Sequence, residues 1–369
     1  MRRADFTSER AGSVVVVQAP AGAAYEAFVP RPLPPKLEFR PSLVAVLSEA
    51  DRALGEVAAL GRYVPNPDLF VTAHERLEAV LSTRIEGTQT SLSELLYFEA
   101  EVERQEPQEA TLQLRDLREV VNYLAAMNHG LRRLGELPLC LRLVRELHAV
   151  LMQGVRGGQA VPGELRRGAT WIGRQGCRLE DATYVAPPPE ELQRVLADWE
   201  AFVNQEDTLP PLVRCAIAHY QFEAIHPFAD GNGRIGRLLI VLTMCAWGLL
   251  PRPLLYLSAH FHRHRDEYYD RLLRVSQQGE WEEWIEFFLR AVAGQSRAAA
   301  DSANSLLQLR EQWRRLMGGT GSGAAAQAVD LLFATPFVNV PRIARELKVS
   351  RPTAQKAIEA MLELSLIHI

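Results

Sequence analysis

One stretch limits this chain more than any other: His226-Pro227-Phe228-Ala229-Asp230-Gly231-Asn232-Gly233-Arg234-Ile235-Gly236-Arg237. Gly231, Asn232 and Gly233 specify a tight turn whose backbone can approach a ligand, because glycine tolerates φ > 0. The residues from Ile235 to Trp247 are almost all apolar and predict a buried helix. The turn therefore stands at a helix N-terminus, where unpaired N–H groups and the helix dipole favour an anion. Arg234 and Arg237 share a helix face and can clamp phosphate oxygens. Asp230 is a hard oxygen ligand suited to Mg²⁺ bridging those phosphates. His226 titrates near neutrality and is the candidate general base. Each piece alone has an ordinary reading as a turn, a structural histidine or a solvated arginine pair. Together, eight specified positions within twelve describe a site for a phosphorylated nucleotide.

Composition removes several other classes. A net charge of −4 gives no polyanion-binding footprint for the whole chain, so a nucleic-acid role has to be local. Cys140, Cys177, Cys215 and Cys245 lie far apart, without metal-ligand spacing, and read as reduced thiols. No apolar run reaches the ~18 residues of a membrane span. The N-terminus Met1-Arg2-Arg3-Ala4-Asp5 lacks the apolar core of a signal peptide. The expected location is cytoplasmic, with no membrane contact.

Residues 1–40 carry one strand-like run, Val14 to Val17. Pro30, Pro32, Pro34 and Pro35 otherwise make an extended arm. Helical periodicity begins near Pro41, and a turn is expected at Pro65-Asn66-Pro67-Asp68. The next helix contains Ser82-Thr83-Arg84-Ile85-Glu86-Gly87, with Ser82 and Glu86 on one face and Gly87 as the stop. A carboxylate at a helix C-terminus opposes the dipole, which asks for a partner cation elsewhere. Helices are expected at Arg115 to His129, Leu141 to Met152, Glu190 to Asn204 and Leu212 to Ala224, with an acidic helix end or loop at Glu99 to Glu109. His148, among apolar neighbours, reads as a core histidine. Two β-like runs, Ala169 to Gly173 and Thr183 to Ala186, read as a hairpin. His260, His262 and His264 alternate and read as a basic rim near the nucleotide, with a transition-metal site as the alternative. Trp281, Trp284, Ile285 and Phe288 have core spacing.

The twelve-residue stretch resembles the signature of the Fic family, His-x-Phe-x-(Asp/Glu)-Gly-Asn-Gly-Arg-x-x-Arg, without departure. The resemblance covers roughly residues 11–295. It implies transfer of AMP from ATP to a protein hydroxyl, with His226 deprotonating the target Ser, Thr or Tyr. It implies Asp230 on Mg²⁺, Gly231 to Gly233 around the α- and β-phosphates, and Arg234 and Arg237 on the β- and γ-phosphates. Tyr269 and Leu272 would border the adenine, with Ser276 of the same nucleotide site one turn further on. The stretch from Ser82 through Glu86 to Gly87 is similar to the family's inhibitory motif, in which the glutamate pairs with the second signature arginine, here Arg237. The hairpin near 170–186 would be the flap, which docks the target segment as an added strand.

Gly318-Gly319-Thr320-Gly321-Ser322-Gly323 reads as a flexible linker. Beyond it, helices at Ala325 to Phe333, Pro341 to Leu347 and one capped by Ser350 resemble a helix-turn-helix. Five basic and two acidic residues between Asn339 and Glu359 are modest for DNA binding, and dimerisation or target docking competes with it. The apolar ending, with no room for a wing, reads as truncated or foreign. The fold class is all-α apart from the flap hairpin and a short N-terminal strand. The expected units are 1–110, an arm and inhibitory region; 111–295, the catalytic core; 296–323, a helix and linker; and 324–369, the helix-turn-helix-like module. The leading function is an autoinhibited protein adenylyltransferase with self-modification. The alternatives are removal of AMP from a modified protein and a nucleotide-sensing DNA-binding regulator. A homodimer is left open.

Overall fold

The computed structural model describes the chain except for residues 19–23, 64–67, 103–111, 156–160, 175, 207, 319–322, 335–337 and 368–369. β1 (Gly12–Gln18) and β2 (Ala24–Pro30) form an antiparallel hairpin with Val14 opposite Phe28. The second strand corrects the expectation of an extended arm after β1. Ala24, Glu26 and Ala27 are weak strand formers interspersed with the strong ones Tyr25, Phe28 and Val29, so the local signal for β2 is mixed. Burial decides it: Ala27 and Phe28 are fully enclosed, and the Phe28 ring lies 5.5 Å from Phe6 and 5.8 Å from Tyr184.

Helices make up the rest, as the periodicity predicts. α1 (Pro41–Tyr63), α2 (Asp68–Ile85), α3 (Leu92–Val102), α4 (Leu112–Arg133) and α5 (Leu141–Leu151) precede a second hairpin. That hairpin pairs β3 (Trp171–Ile172) with β4 (Tyr184–Val185), where the flap is expected. α6 (Leu192–Asn204), α7 (Pro211–Ile225) and α8 (Asn232–Ala246) follow, and the signature stretch forms the α7–α8 junction. α9 (Ser258–Arg263), α10 (Arg265–Gln278) and the long α11 (Trp281–Gly318) complete the main body. α12 (Gly323–Ala334), α13 (Val340–Glu346) and α14 (Arg351–Glu363) form the C-terminal module.

α7 and α8 are buried on nearly every face, as helices apolar all round must be. They are the centre of the fold. α4 packs on both α5 and α8, and α2 packs on α4 and α9. This sets the C-terminus of α2 beside the N-terminus of α8. No helix among the described residues is long and apolar enough to cross a membrane.

The C-terminal module has its own core, with Val329, Ile343, Ala357 and Met361 at its centre. Ser350 caps α14 by accepting the Thr353 N–H at 3.3 Å. The sequence sets this module apart behind a linker, of which residues 319–322 are outside the described set. The structure seats α12 on α11, through the Trp313–Phe333 ring pair at 5.5 Å and an Arg310–Asp330 ion pair of 2.7 Å. α12 also touches α2. The expected turn at Pro65-Asn66-Pro67 and the acidic segment from 103 to 109 lie outside the described residues.

Candidate active site

The site is built at the α7–α8 junction. α7 ends on His226, whose φ of 49° is left-handed. A non-glycine residue adopts that conformation only where its surroundings hold it. Here Arg166 supplies much of the hold. It is buried and donates to the carbonyls of His226 at 2.7 Å, Pro187 at 2.6 Å and Ile225 at 3.2 Å. Tyr184 of the flap donates to the Ala224 carbonyl at 2.7 Å. The flap and the candidate base are therefore fixed to one another through two side chains. Neither stands out in the sequence, because a lone Arg in a Gly/Arg-rich turn reads as solvated.

The turn after His226 is held from inside. Asn232 accepts the Phe228 N–H at 2.8 Å and donates to the Phe228 carbonyl at 2.9 Å. Its side chain thus closes the loop, and what it offers an anion is its backbone N–H. Gly231 stands at φ 79°, the left-handed position the turn requires. No side chain caps the first turn of α8, so its N–H groups face outward as an anion site. His148 is a core histidine that braces this loop from below. Its Nδ1 accepts the Gly163 N–H at 2.9 Å and its Nε2–H donates to the Asp230 carbonyl at 3.1 Å. Its ring stacks on Phe228 at 3.8 Å. Burial pushes its pKa down to about 4, so it stays neutral while holding the loop.

Asp230 is half-exposed, with Oδ1 accepting the Gly231 N–H at 2.6 Å. Among the described residues, no group of three His, Cys, Asp or Glu could enclose a metal ion. A single exposed carboxylate beside an anion site fits Mg²⁺, which takes one or two carboxylates and shares its remaining positions with phosphates and water.

The two signature arginines have different surroundings. Arg237 is buried and lines a cavity of about 830 Å³, together with Glu86, His226, Gly233, Tyr269 and Leu272. Its Nε donates to Ser82 Oγ at 2.9 Å, and its Nη2 donates to the Ser82 carbonyl at 2.9 Å and to Glu86 Oε1 at 2.7 Å. Burial alone would raise the Glu86 carboxyl, but the Arg237 guanidinium outweighs it and holds the group below its usual value. Gly87, at φ 106°, ends the turn that presents Glu86. The cations that answer the α2 dipole are Arg237 and also Arg265, whose Nε donates to the Ile85 carbonyl at 2.9 Å. A side chain at Gly233 would collide with the Glu86 carboxylate. Glu86 therefore lies over the first turn of α8, where an anion belongs.

Arg234 points elsewhere. Its Nη1 donates to Glu119 Oε2 of α4 at 2.6 Å, and its Nη2 stands 3.5 Å from Asp230 Oδ1. It is not among the side chains lining this cavity. Glu119 is a partner that α4 brings from more than a hundred residues away, and no local pattern marks it. Arg234→Ala is expected to lower thermal stability as well as ATP affinity. Removing one member of a largely buried ion pair costs on the order of 3 kcal/mol. Melting curves with and without ATP would separate the two effects, and an unchanged melting temperature would contradict the structural part.

Tyr269, Leu272 and Ser276 all border the cavity. The Ser276 hydroxyl is already engaged with Tyr220 OH at 2.8 Å, so it supplies shape more than a free polar group. The Arg265 guanidinium lies 5.2 Å over the Tyr269 ring. His260, His262 and His264 do not line the cavity; His260 packs on Phe287, and Arg265 and Arg174 are cations at its rim.

Residues 44–132 match the Fic/DOC family N-terminal region and residues 138–244 match the Fic/DOC family domain. The chain belongs to the Fic/DOC family. Over 127 residues it is 32% identical to protein adenylyltransferase Fic of Culex quinquefasciatus, a match covering 34% of this chain and 22% of that protein. It is also 32% identical over 141 residues to protein adenylyltransferase fic-1 of Caenorhabditis briggsae, covering 35% and 25%. The matched stretch thus spans about a quarter of the length of these curated relatives. A Fic family protein from Desulfovibrio desulfuricans G20 shares the fold with a TM-score of 0.60 at 22% identity, over 90% of this chain and 92% of that one. C. elegans Fic-1 does so with a TM-score of 0.53 at 24% identity, over 73% and 75%.

Proposed function

We propose that this Fic protein transfers AMP from ATP to a hydroxyl of a target protein and that Glu86 holds this activity down. The observation that carries the reading is the convergence of His226, the open first turn of α8 and Arg237 on one cavity, with Glu86 occupying the arginine. The target hydroxyl attacks the α-phosphorus. The bond from that phosphorus to the bridging oxygen breaks, and pyrophosphate leaves. His226 takes the hydroxyl proton, and the first-turn N–H groups of α8 stabilise the charge on the phosphates. Mg²⁺ bound through Asp230 would neutralise charge on the leaving pyrophosphate. Trp171 and Ile172 are exposed on the flap, a two-residue strand edge on which a target segment can add as a strand.

Incubation with ATP labelled at either the α- or the γ-phosphate tests the reaction class. Only the α-label should remain on protein; retention of the γ-label would instead mean phosphoryl transfer.

Burial pushes the His226 pKa down to about 4, which keeps the ring in its base form at neutral pH. Protonation removes the base only as pH falls through that value. The kcat/KM profile is therefore expected to lack an acidic limb near pH ~6.5, the usual histidine position. A limb at that pH would show that the imidazole acts from a solvated state.

A further inference from the structure

Three polar residues of α2 stand four apart on one face: Glu78, Ser82 and Glu86, the last just beyond the helix end. Ser82 and Glu86 grip Arg237. Glu78 is one turn further back and 2% exposed. A carboxyl there is costly unless its oxygens are satisfied. They are: Oε1 accepts Tyr123 OH of α4 at 3.1 Å and Ser258 Oγ at 2.6 Å, and Oε2 accepts the Ser258 N–H at 3.1 Å. α4 holds the far end of the same segment too, where Asp116 Oδ2 accepts the Gln89 N–H at 2.9 Å.

We propose that Glu78, held by Tyr123 and Ser258, is a positioning residue that fixes the register of α2 so that Ser82 and Glu86 meet Arg237. The inference rests on the autoinhibited reading above. Apolar packing is not directional, so it sets the register of a helix along its neighbours less sharply than hydrogen bonds do. Hydrogen bonds are directional and weaken steeply once a donor moves about 1 Å away. A buried carboxyl with three donors from two different elements therefore pins α2 along its axis. Without that pin, α2 samples positions in which Glu86 no longer reaches the guanidinium, and phosphate competes for it more easily.

The test is Tyr123→Phe, which removes one donor and keeps the ring, with Ser258→Ala as a second variant. Self-labelling from α-labelled ATP is expected to rise about two- to tenfold in each, the span of a single hydrogen bond. In the Glu86→Gly background the same changes should add nothing, since no lock remains to be positioned. A purely structural role would lower labelling in both backgrounds, and that result overturns the proposal. Unchanged labelling in the wild-type background overturns it as well. Should Glu86→Gly itself fail to raise labelling, the autoinhibited reading falls and takes this proposal with it. Activation by Glu86→Gly with silent Tyr123→Phe and Ser258→Ala removes the positioning role alone.

Discussion

Alanine in place of His226 is expected to cut AMP transfer by about 10²–10⁴ while leaving ATP affinity nearly unchanged, because loss of a general base costs that much in rate. The geometry assigns the proton acceptor. Nδ1 faces the Glu223 carbonyl at 3.3 Å and carries the proton, which leaves Nε2 to take the hydroxyl proton. In the proposed mechanism the phosphates are held by α8 and Arg237, so ATP binding is not expected to depend on the imidazole. Alanine at φ 49° adds backbone strain, and asparagine tolerates left-handed backbone better. His226→Asn should therefore be as inactive as His226→Ala and melt at a higher temperature. Single-turnover rates and calorimetry on both variants check this. Activity within a few-fold of wild type would remove His226 from the mechanism.

Glu86→Gly is expected to raise labelling by about 10- to 100-fold, the range of a charge-assisted hydrogen bond of roughly 1.5–3 kcal/mol. Two effects add. The Arg237 guanidinium loses its tethered competitor, which acts at high effective concentration. The first turn of α8 also loses the carboxylate lying over Gly233, in the place of a phosphate. Arg237 does not become disordered, since its two bonds to Ser82 remain and keep the planar fork aimed at the cavity. The double variant Glu86→Gly with His226→Ala should be silent, which separates chemistry from binding. Equal label in Glu86→Gly and wild type would mean that the ion pair does not restrain the reaction, and would leave the assignment of His226 standing.

The signature stretch and the Ser82–Glu86 motif are legible in the sequence because the pattern of each is local, even though Ser82 and Glu86 meet Arg237 from another helix. A turn needs its glycines, a helix start needs its open N–H groups, and a pair on one helix face needs only its spacing. The apolar periods likewise mark α1, α4, α5, α7 and α8, since burial of a helix writes a repeat into the chain. Apart from the Glu86–Arg237 pair, which the family resemblance supplies, the sequence leaves out the partners brought together across space. Glu119 reaches Arg234 from α4, Arg166 reaches three carbonyls around His226, and His148 holds Asp230 by its backbone. Each looks locally like an ordinary charged or core residue. β2 is only weakly marked: Tyr25, Phe28 and Val29 favour a strand but are interspersed with Ala and Glu, and packing of Phe28 on Phe6 and Tyr184 completes it. The sequence determines which groups can bind a nucleotide and accept a proton. The tertiary structure decides which of them stand free and which are already held, because a carboxylate or guanidinium in the interior is partnered by whatever the fold brings within hydrogen-bond reach.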